Sequence, residues 1–381
     1  MPITSYQPAE QQSDEQQQDY RRHQSQENYG AVLKLPQRLD MVAMPMPPLK
    51  DGYVQVQMKT VSVSDADVRL WKNGSTPNLL GGSDSVVLGC EGAGVVTAVG
   101  AHVHNLRVGD RVVVEPCIPC RMCDRCISGR YNLCLDLAIL GTAKANGLFQ
   151  KFVTHPAPWL HRIPDGLNHV SFKEAALMEP LSTAIAALDR AAIGLGQSLL
   201  ITGCNVLACL VLKVARATGI NPIVVAVDRE ESREQALSMG ADQVYVMDPI
   251  QRDHEVATDL RALIAGNDAI MGGVEAAVEC TGQEMFLRVA IMATQPGGTC
   301  CRIATGNYEQ TVPVSVLAMR SVTLSGVNRS HHVYPRALEL VASGRLQLGD
   351  LISEEYGFDD LQQALEVASL NGEAQKVQIN I

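Results

Sequence analysis

The sequence predicts an α/β protein in which a β-rich portion is joined to a doubly wound parallel sheet. Three observations carry this. The chain has 381 residues, more than one ordinary core organises, so two domains are expected. From about residue 30 to 180 short apolar runs are broken by Gly, Pro and Asp, as strands are. After residue 196 the rhythm changes to strand, helix, strand, the pattern of a parallel sheet covered on both faces.

Taken in order, residues 1–29 are rich in Gln, Glu and Ser and nearly free of aliphatics. They cannot bury enough apolar surface to order themselves and are expected to form a disordered tail. "DGYVQVQMKTVSV" alternates like a half-buried strand, and "GVVTAVG" and "GDRVVVEP" follow as further strands. "TAIAALDRAAIGL" has helical spacing of small and aliphatic residues. "QSLLITG", "PIVVAVD", "DQVYVMD", "EAAVECTG" and "GGTCCRIA" read as the strands of the parallel sheet. "NVLACLVLKVARATG" and "EESREQALSMG" are helices between them. The segment from about 320 onward closes with a helix and a strand, "FDDLQQALEVASLNGEAQKVQINI". No internal repeat is visible.

Composition narrows the function. With 31 basic and 41 acidic residues the net charge is −10, which speaks against nucleic acid as a partner because phosphate binding needs a basic face. No apolar run approaches the length of a membrane span, and no signal peptide opens the chain. A soluble, cytoplasmic protein is expected. Eleven cysteines without secretory context argue against a disulfide framework. In "CRMCDRCISGRYNLC", Cys120, Cys123, Cys126 and Cys134 form a C-x2-C-x2-C-x7-C array. Four thiolates so spaced can wrap one tetrahedral Zn²⁺, and a site with every position filled is structural. Cys117 is the odd one out, a spectator.

Together with the cysteine lobe, the segments "GAGVVTAVG", "LRVGDRVVVEP", "SGRYNLC", "LMEPLSTAI" and "GVNRSHHVYPRALELVASGRL" resemble the medium-chain dehydrogenase/reductase superfamily, and within it the sorbitol (polyol) dehydrogenase group. The resemblance spans nearly all of residues 31–381. It implies a GroES-like catalytic domain, 30–183 and 320–381 with the zinc lobe at 117–134, interrupted by a Rossmann domain, 184–319. It also implies NAD(P) binding, one structural and one catalytic zinc, and a homo-oligomer of two or four chains.

The positions that should hold catalytic zinc are altered. Where the family has a Cys, this chain has Ser64; where it has the His of "GHE", it has Cys90, with Glu91 retained, and "MEP" retains Glu179. A serine hydroxyl is a weak ligand, and one thiolate with two carboxylates makes a strongly anionic, poor Zn²⁺ cage. No catalytic zinc is expected, against the alternative of a rearranged Cys90/Glu91/Glu179 site. Ala66 replaces a family hydroxyl and relays no proton. Asp67 and Trp71 match the family, while Arg69 stands at a usual His and Ala186 at another. Cys90 as a nucleophile would need an activating cation such as Arg69; filling the space of a lost imidazole is the plainer role. Arg329 is kept in the substrate segment, where His331 and His332 are expected to serve a loop or line the pocket.

Between strand and helix, "GCNVLA" stands for the dinucleotide fingerprint G-x-G-x-x-G. Gly203 is kept, Asn205 replaces the second Gly, Val206 and Leu207 follow, and Ala208 replaces the third. The Asn205 side chain is expected to project toward the phosphates, and Asn tolerates left-handed angles. Asp228 ends the next strand, where an acid favours NAD(H) over NADP(H); Arg229 beside it clouds the preference, and Asp228 also suits a helix cap. The expectation is therefore an NAD(P)-dependent oxidoreductase without catalytic zinc, acting on a small organic substrate of the kind met in specialised metabolism. Ser64, Asp67, Cys90, Glu91, Glu179 and Arg329 would form its site. A non-redox cyclase, isomerase or lyase in the former metal pocket, a conventional polyol dehydrogenase, or a binding pseudoenzyme remain the alternatives.

Overall fold

A computed structural model describes residues 27–73, 85–164, 169–265, 272–370 and 376–381, so nearly all of the expected tail lies outside the described residues. The β-rich portion begins with β1 (Asn28–Leu35), two residues inside the span assigned to the tail, and β2 (Arg38–Met44). Then come β3 (Tyr53–Ser62), helix α1 (Asp65–Asn73), β4 (Val86–Val87), β5 (Glu91–Val99) and β6 (Arg111–Val114). The cysteine lobe holds β7 (Cys117–Ile118), α2 (Asp124–Ile127) and β8 (Ala138–Ile139), followed by β9 (Phe152–Pro156) and β10 (Leu160–Arg162). The half-burial expected of β3 is not found: seven of its ten residues are buried, so both faces of the strand are covered, while its edges pair with β5 and β9. Short helix α3 (Phe172–Ala175) then leads into α4 (Met178–Ala191).

The second domain carries β11 (Leu199–Thr202), α5 (Val206–Ala217), β12 (Ile223–Val227), α6 (Glu231–Ser238), β13 (Gln243–Val246) and α7 (Asp253–Ala265). It continues with β14 (Val274–Glu279), α8 (Glu284–Ala293), β15 (Thr294–Arg302), α9 (Val314–Arg320) and β16 (Thr323–Gly326). All six strands are parallel, in the order β13-β12-β11-β14-β15-β16, the doubly wound order whose reversal lies between β11 and β14. Side chains alternate between two cores: Leu199 and Ile201 face one and Leu200 the other, as period-two geometry demands of a strand buried on both faces. The sheet therefore runs past the expected boundary at 319 to include β16, and α4 runs unbroken through the boundary at 183.

The chain returns through α10 (Tyr334–Ala342), β17 (Ile352–Gly357), α11 (Leu361–Leu370) and β18 (Lys376–Asn380). β18 enters the first domain's large sheet between β3 and β17. Strand β18 thus delivers residue 376 beside the end of β3 and the start of β5. Among the described residues no helix is long and apolar enough to cross a membrane.

Candidate active site and cysteine lobe

A cleft of about 430 Å³ lies between the domains. Ser64, Cys90, Glu91, Glu179 and Arg329 line it from the first-domain side, and Asn205, Val206 and Leu207 from the dinucleotide turn. Eight of the residues singled out from the sequence are thus brought to one place, while Asp67, Gly203, Asp228 and Arg229 do not line it.

Each is held by local geometry. Ser64 and Asp67 form a reciprocal cap at the start of α1: Ser64 N and Oγ donate to Asp67 Oδ2 at 2.9 and 2.6 Å, and Asp67 N donates to Ser64 Oγ at 3.1 Å. Gly89 N donates to the other Asp67 oxygen at 2.7 Å. Asp67 is 2% exposed and does not line the cleft; it supports Ser64 and the residue before Cys90. Burial pushes its carboxyl above the ordinary value, against the opposing hydrogen bonds.

Cys90 Sγ lies 3.5 Å from Ser64 Oγ. Burial, followed by Asp67, Glu91 and Glu179, pushes its thiol well above the usual range, so it stays protonated near neutrality and is a poor nucleophile. Arg69 does not activate it. Its guanidinium crosses the cleft mouth and donates to Thr305 Oγ1 in the second domain.

Glu91 is paired with a residue that the sequence reading missed. Lys376 Nζ, at the start of β18, stands 2.7 Å from Glu91 Oε2, with side chains 8% and 5% exposed. Burial pushes Glu91 up to about 8, against the pull of Lys376 and with help from the charge of Glu179. Burial also works against the Lys376 ammonium, but Glu91 outweighs it and its pKa ends above the ordinary value. Near neutral pH it is therefore Glu91 that titrates. The only signal in the sequence was a lone Lys opening a final strand that is otherwise uncharged.

Arg329 Nη1 stands 3.2 Å from Glu179 Oε1, which α4 presents in its first turn. Arg329 has φ +56° and is held on both sides by the cysteine lobe. Asn132 Nδ2 donates to Asn328 O at 2.8 Å, and His332 N donates to Tyr131 Oη at 2.8 Å. His331 and His332 are exposed loop residues stacked edge-on against Tyr131; neither lines the cleft.

In the lobe, Cys123 Sγ lies 3.5 Å from Cys126 Sγ and 3.9 Å from Cys134 Sγ, and Cys120 and Cys126 are 3.9 Å apart. A tetrahedron with Zn–S bonds of about 2.3 Å has sulfurs about 3.8 Å apart, so this cluster can hold zinc. Its four sulfurs lie within 4.8 Å of one another, and among the described residues no other group of His, Cys, Asp and Glu converges in this way. Backbone amides lower the Cys120 and Cys123 thiols, Cys123 to about 6, which favours the thiolate a metal needs. Cys117 stands apart, buried in β7 and pushed up to about 12 by burial.

At the dinucleotide turn Gly203 has φ +87°, and a Cβ there would meet Thr281 Cγ2 at 2.6 Å. Asn205 does not project toward phosphate and does not use left-handed angles. With φ −77° it caps α5, its Oδ1 accepting from Ala208 N at 2.9 Å while its Nδ2 donates to Cys280 O at 2.7 Å. Asp228 is half exposed and stands 3.8 Å from Arg229 Nε. It does not cap the following helix, whose N-cap is Glu230.

Comparison with known proteins agrees with this architecture. The family model described as alcohol dehydrogenase GroES-like domain matches residues 50–165, and that described as zinc-binding dehydrogenase matches 207–343. The chain is 35% identical over 328 residues to L-arabinitol 4-dehydrogenase of Penicillium rubens, covering 84% of this chain and 83% of that one. It is 30% identical to sorbitol dehydrogenase of Bombyx mori, over 93% and 99% of the two chains. The crystal structure of 2R,3R-butanediol dehydrogenase from Bacillus subtilis superposes with a TM-score of 0.81 at 25% identity, covering 93% of this chain and 99% of that one. With its two-domain fold, interdomain cleft and four-cysteine lobe, the chain belongs to the sorbitol dehydrogenase-like group of the medium-chain dehydrogenase/reductase superfamily and is an oxidoreductase of that type.

Proposed function

We propose that the chain carries out hydride transfer between NAD(H) and a small organic molecule without a catalytic zinc, with Glu91 as the group that gives or takes the proton. The observation that carries this is the pairing inside the cleft: Lys376 against Glu91 at 2.7 Å and Arg329 against Glu179 at 3.2 Å.

The donor set is unsuited to a second zinc. The Ser64 hydroxyl is spent on Asp67, Glu179 is ion-paired with Arg329, and the Lys376 ammonium stands against Glu91 where a second cation would have to sit. Borderline-soft Zn²⁺ prefers imidazole and thiolate in tetrahedral array. Arg329 and Lys376 instead supply fixed positive charge that a substrate oxygen can meet as it gains electron density. A carboxyl with a pKa of about 8 holds its proton at neutral pH and sits close enough to it to donate.

The dinucleotide fits the residues present. Gly203 makes the turn, α5 directs its N-terminus at the cleft, and Asp228 at the end of β12 favours NAD(H). Bound there, the nicotinamide supplies or accepts hydride. An electrophile that needs no Lewis acid, such as an enone, iminium or quinone-like carbon, suits this site. A second reading, polyol oxidation at a zinc held by Cys90, Glu91 and Glu179, draws support from the arabinitol and sorbitol dehydrogenase relatives. Metal content and turnover separate the two. One zinc per chain with NADH oxidation by activated carbonyl compounds supports the first; two zincs with sorbitol or arabinitol turnover would refute it.

A further inference from the structure

The dinucleotide turn carries two thiols in contact. Asn205 is the N-cap of α5, so Cys204 immediately precedes the cap and Cys209 is the fourth residue of the helix. These are the two positions that ordinarily hold an apolar staple fixing the entry of the chain into a helix. Here both are cysteine, with Sγ atoms 3.9 Å apart. Cys209 is 1% exposed, fixed in the core under α5. Cys204 is half-buried and turned toward α6, its Sγ 3.7 Å from Gln235 Oε1. Cys204, the more exposed of the two, is the thiol that an oxidant from solvent meets first, with the buried Cys209 in contact with it.

We propose that Cys204 and Cys209 form a reversible disulfide under a hydroperoxide oxidant, and that this disulfide weakens dinucleotide binding. Two S–H bonds and the peroxide O–O bond break and one S–S bond forms. The two sulfurs give up two electrons and two protons, and the peroxide takes them, leaving as water together with a second water or an alcohol. The sulfurs must close from 3.9 Å to about 2.05 Å. Because Cys209 is locked in the core, the turn makes the approach. It takes with it Gly203, whose N–H donates to Ala226 O at 2.7 Å, and Asn205, whose side chain ties the helix start to Cys280. Both fix the turn between β11 and α5, which is the segment that would pass the pyrophosphate, so the affinity claim rests on the nicotinamide reading above; formation of the disulfide does not.

The test uses the full-length, zinc-loaded protein and hydrogen peroxide. Residues 191–213 form one tryptic peptide whose cysteines are Cys204 and Cys209 alone. After oxidation and alkylation this peptide should be recovered two hydrogens lighter and unalkylated, and dithiothreitol should reverse the change. The NADH dissociation constant, read by fluorescence, should rise at least about ten-fold on oxidation and recover on reduction. Cys209→Ala should bind NADH before and after peroxide alike. Alkylation at both cysteines of the oxidised peptide would overturn the disulfide. An unchanged NADH constant with the disulfide formed would overturn the switch. Equal loss of binding in Cys209→Ala would assign the effect to other thiols, since that variant keeps Cys90 and the lobe. If reduced wild type binds no NADH, the nicotinamide reading and the switch both fail, while the peptide mass still decides the bond.

Discussion

Glu91 offers the sharpest test of the cleft, through replacement by Gln and titration of the native carboxyl. With a pKa of about 8, about 90% of the carboxyl is protonated at pH 7, whereas an ordinary glutamate at about 4.3 would be well under 1% protonated. In ¹³C spectra of glutamate-labelled protein, one side-chain carboxyl resonance should titrate near pH 8, and it should be missing in Glu91→Gln. Because the folded value lies above the unfolded one, folding takes up a proton between them. This carboxyl's contribution to stability is fully present in acid and is lost as pH rises from about 4.5 to about 8. The slope is at most about 1.4 kcal/mol per pH unit, with an upper bound of about 5 kcal/mol over the span. Urea unfolding at pH 5.5 and 7.5 should show that slope in wild type and not in Glu91→Gln. With an active substrate the variant should lose about 10²–10⁴-fold in kcat while keeping its NADH affinity. A Glu91 midpoint below pH 6 would remove the proton donor and with it the proposed chemistry.

The other expectations are simpler to measure. Plasma emission should find one zinc per chain, lost with a large fall in Tm in Cys126→Ser, because the lobe's sulfur spacing matches one tetrahedral ion. Gly203→Ala should cost about 1–3 kcal/mol by denaturant unfolding and weaken NADH binding, since its φ is +87° and its Cβ would overlap Thr281. Asn205→Ala should cost about 1 kcal/mol or more through the lost cap, and Asn205→Asp should recover only part of it, because it keeps the cap acceptor but cannot donate to Cys280 O. Arg329→Met should reduce turnover far more than it weakens NADH binding, because its partner is Glu179 rather than the dinucleotide turn.

Much of the fold was legible because it is written locally. Five of the six parallel strands, β11 to β15, are written as local strand segments, and the cysteine spacing specifies its cluster without help from distant residues. What escaped notice depends on meetings across the chain. Lys376 reaches Glu91 from 285 residues away, and nothing near either residue signals the other. Asn205 was read by what its side chain is, not by its partners: a free carbonyl at β14 and an open amide at the helix start draw it inward. Histidines 331 and 332, expected to serve a loop or line the pocket, lie on a loop against Tyr131 and outside the cleft lining, a contact that their neighbours in sequence do not announce. The boundary at 319 falls short of β16 because that strand is short and mostly exposed, with little apolar periodicity to mark it.

Strand β18 slots between β3 and β17, and this bears on how the molecule is born. A ribosome releases every strand of the parallel sheet before residue 376, whereas the first domain's large sheet is complete only once β18 emerges to join β3 to β17. Until residue 376 emerges, Glu91 has no ammonium beside it. A chain cut short of β18 would therefore lack both the strand that joins β3 to β17 and the ammonium that stands against Glu91.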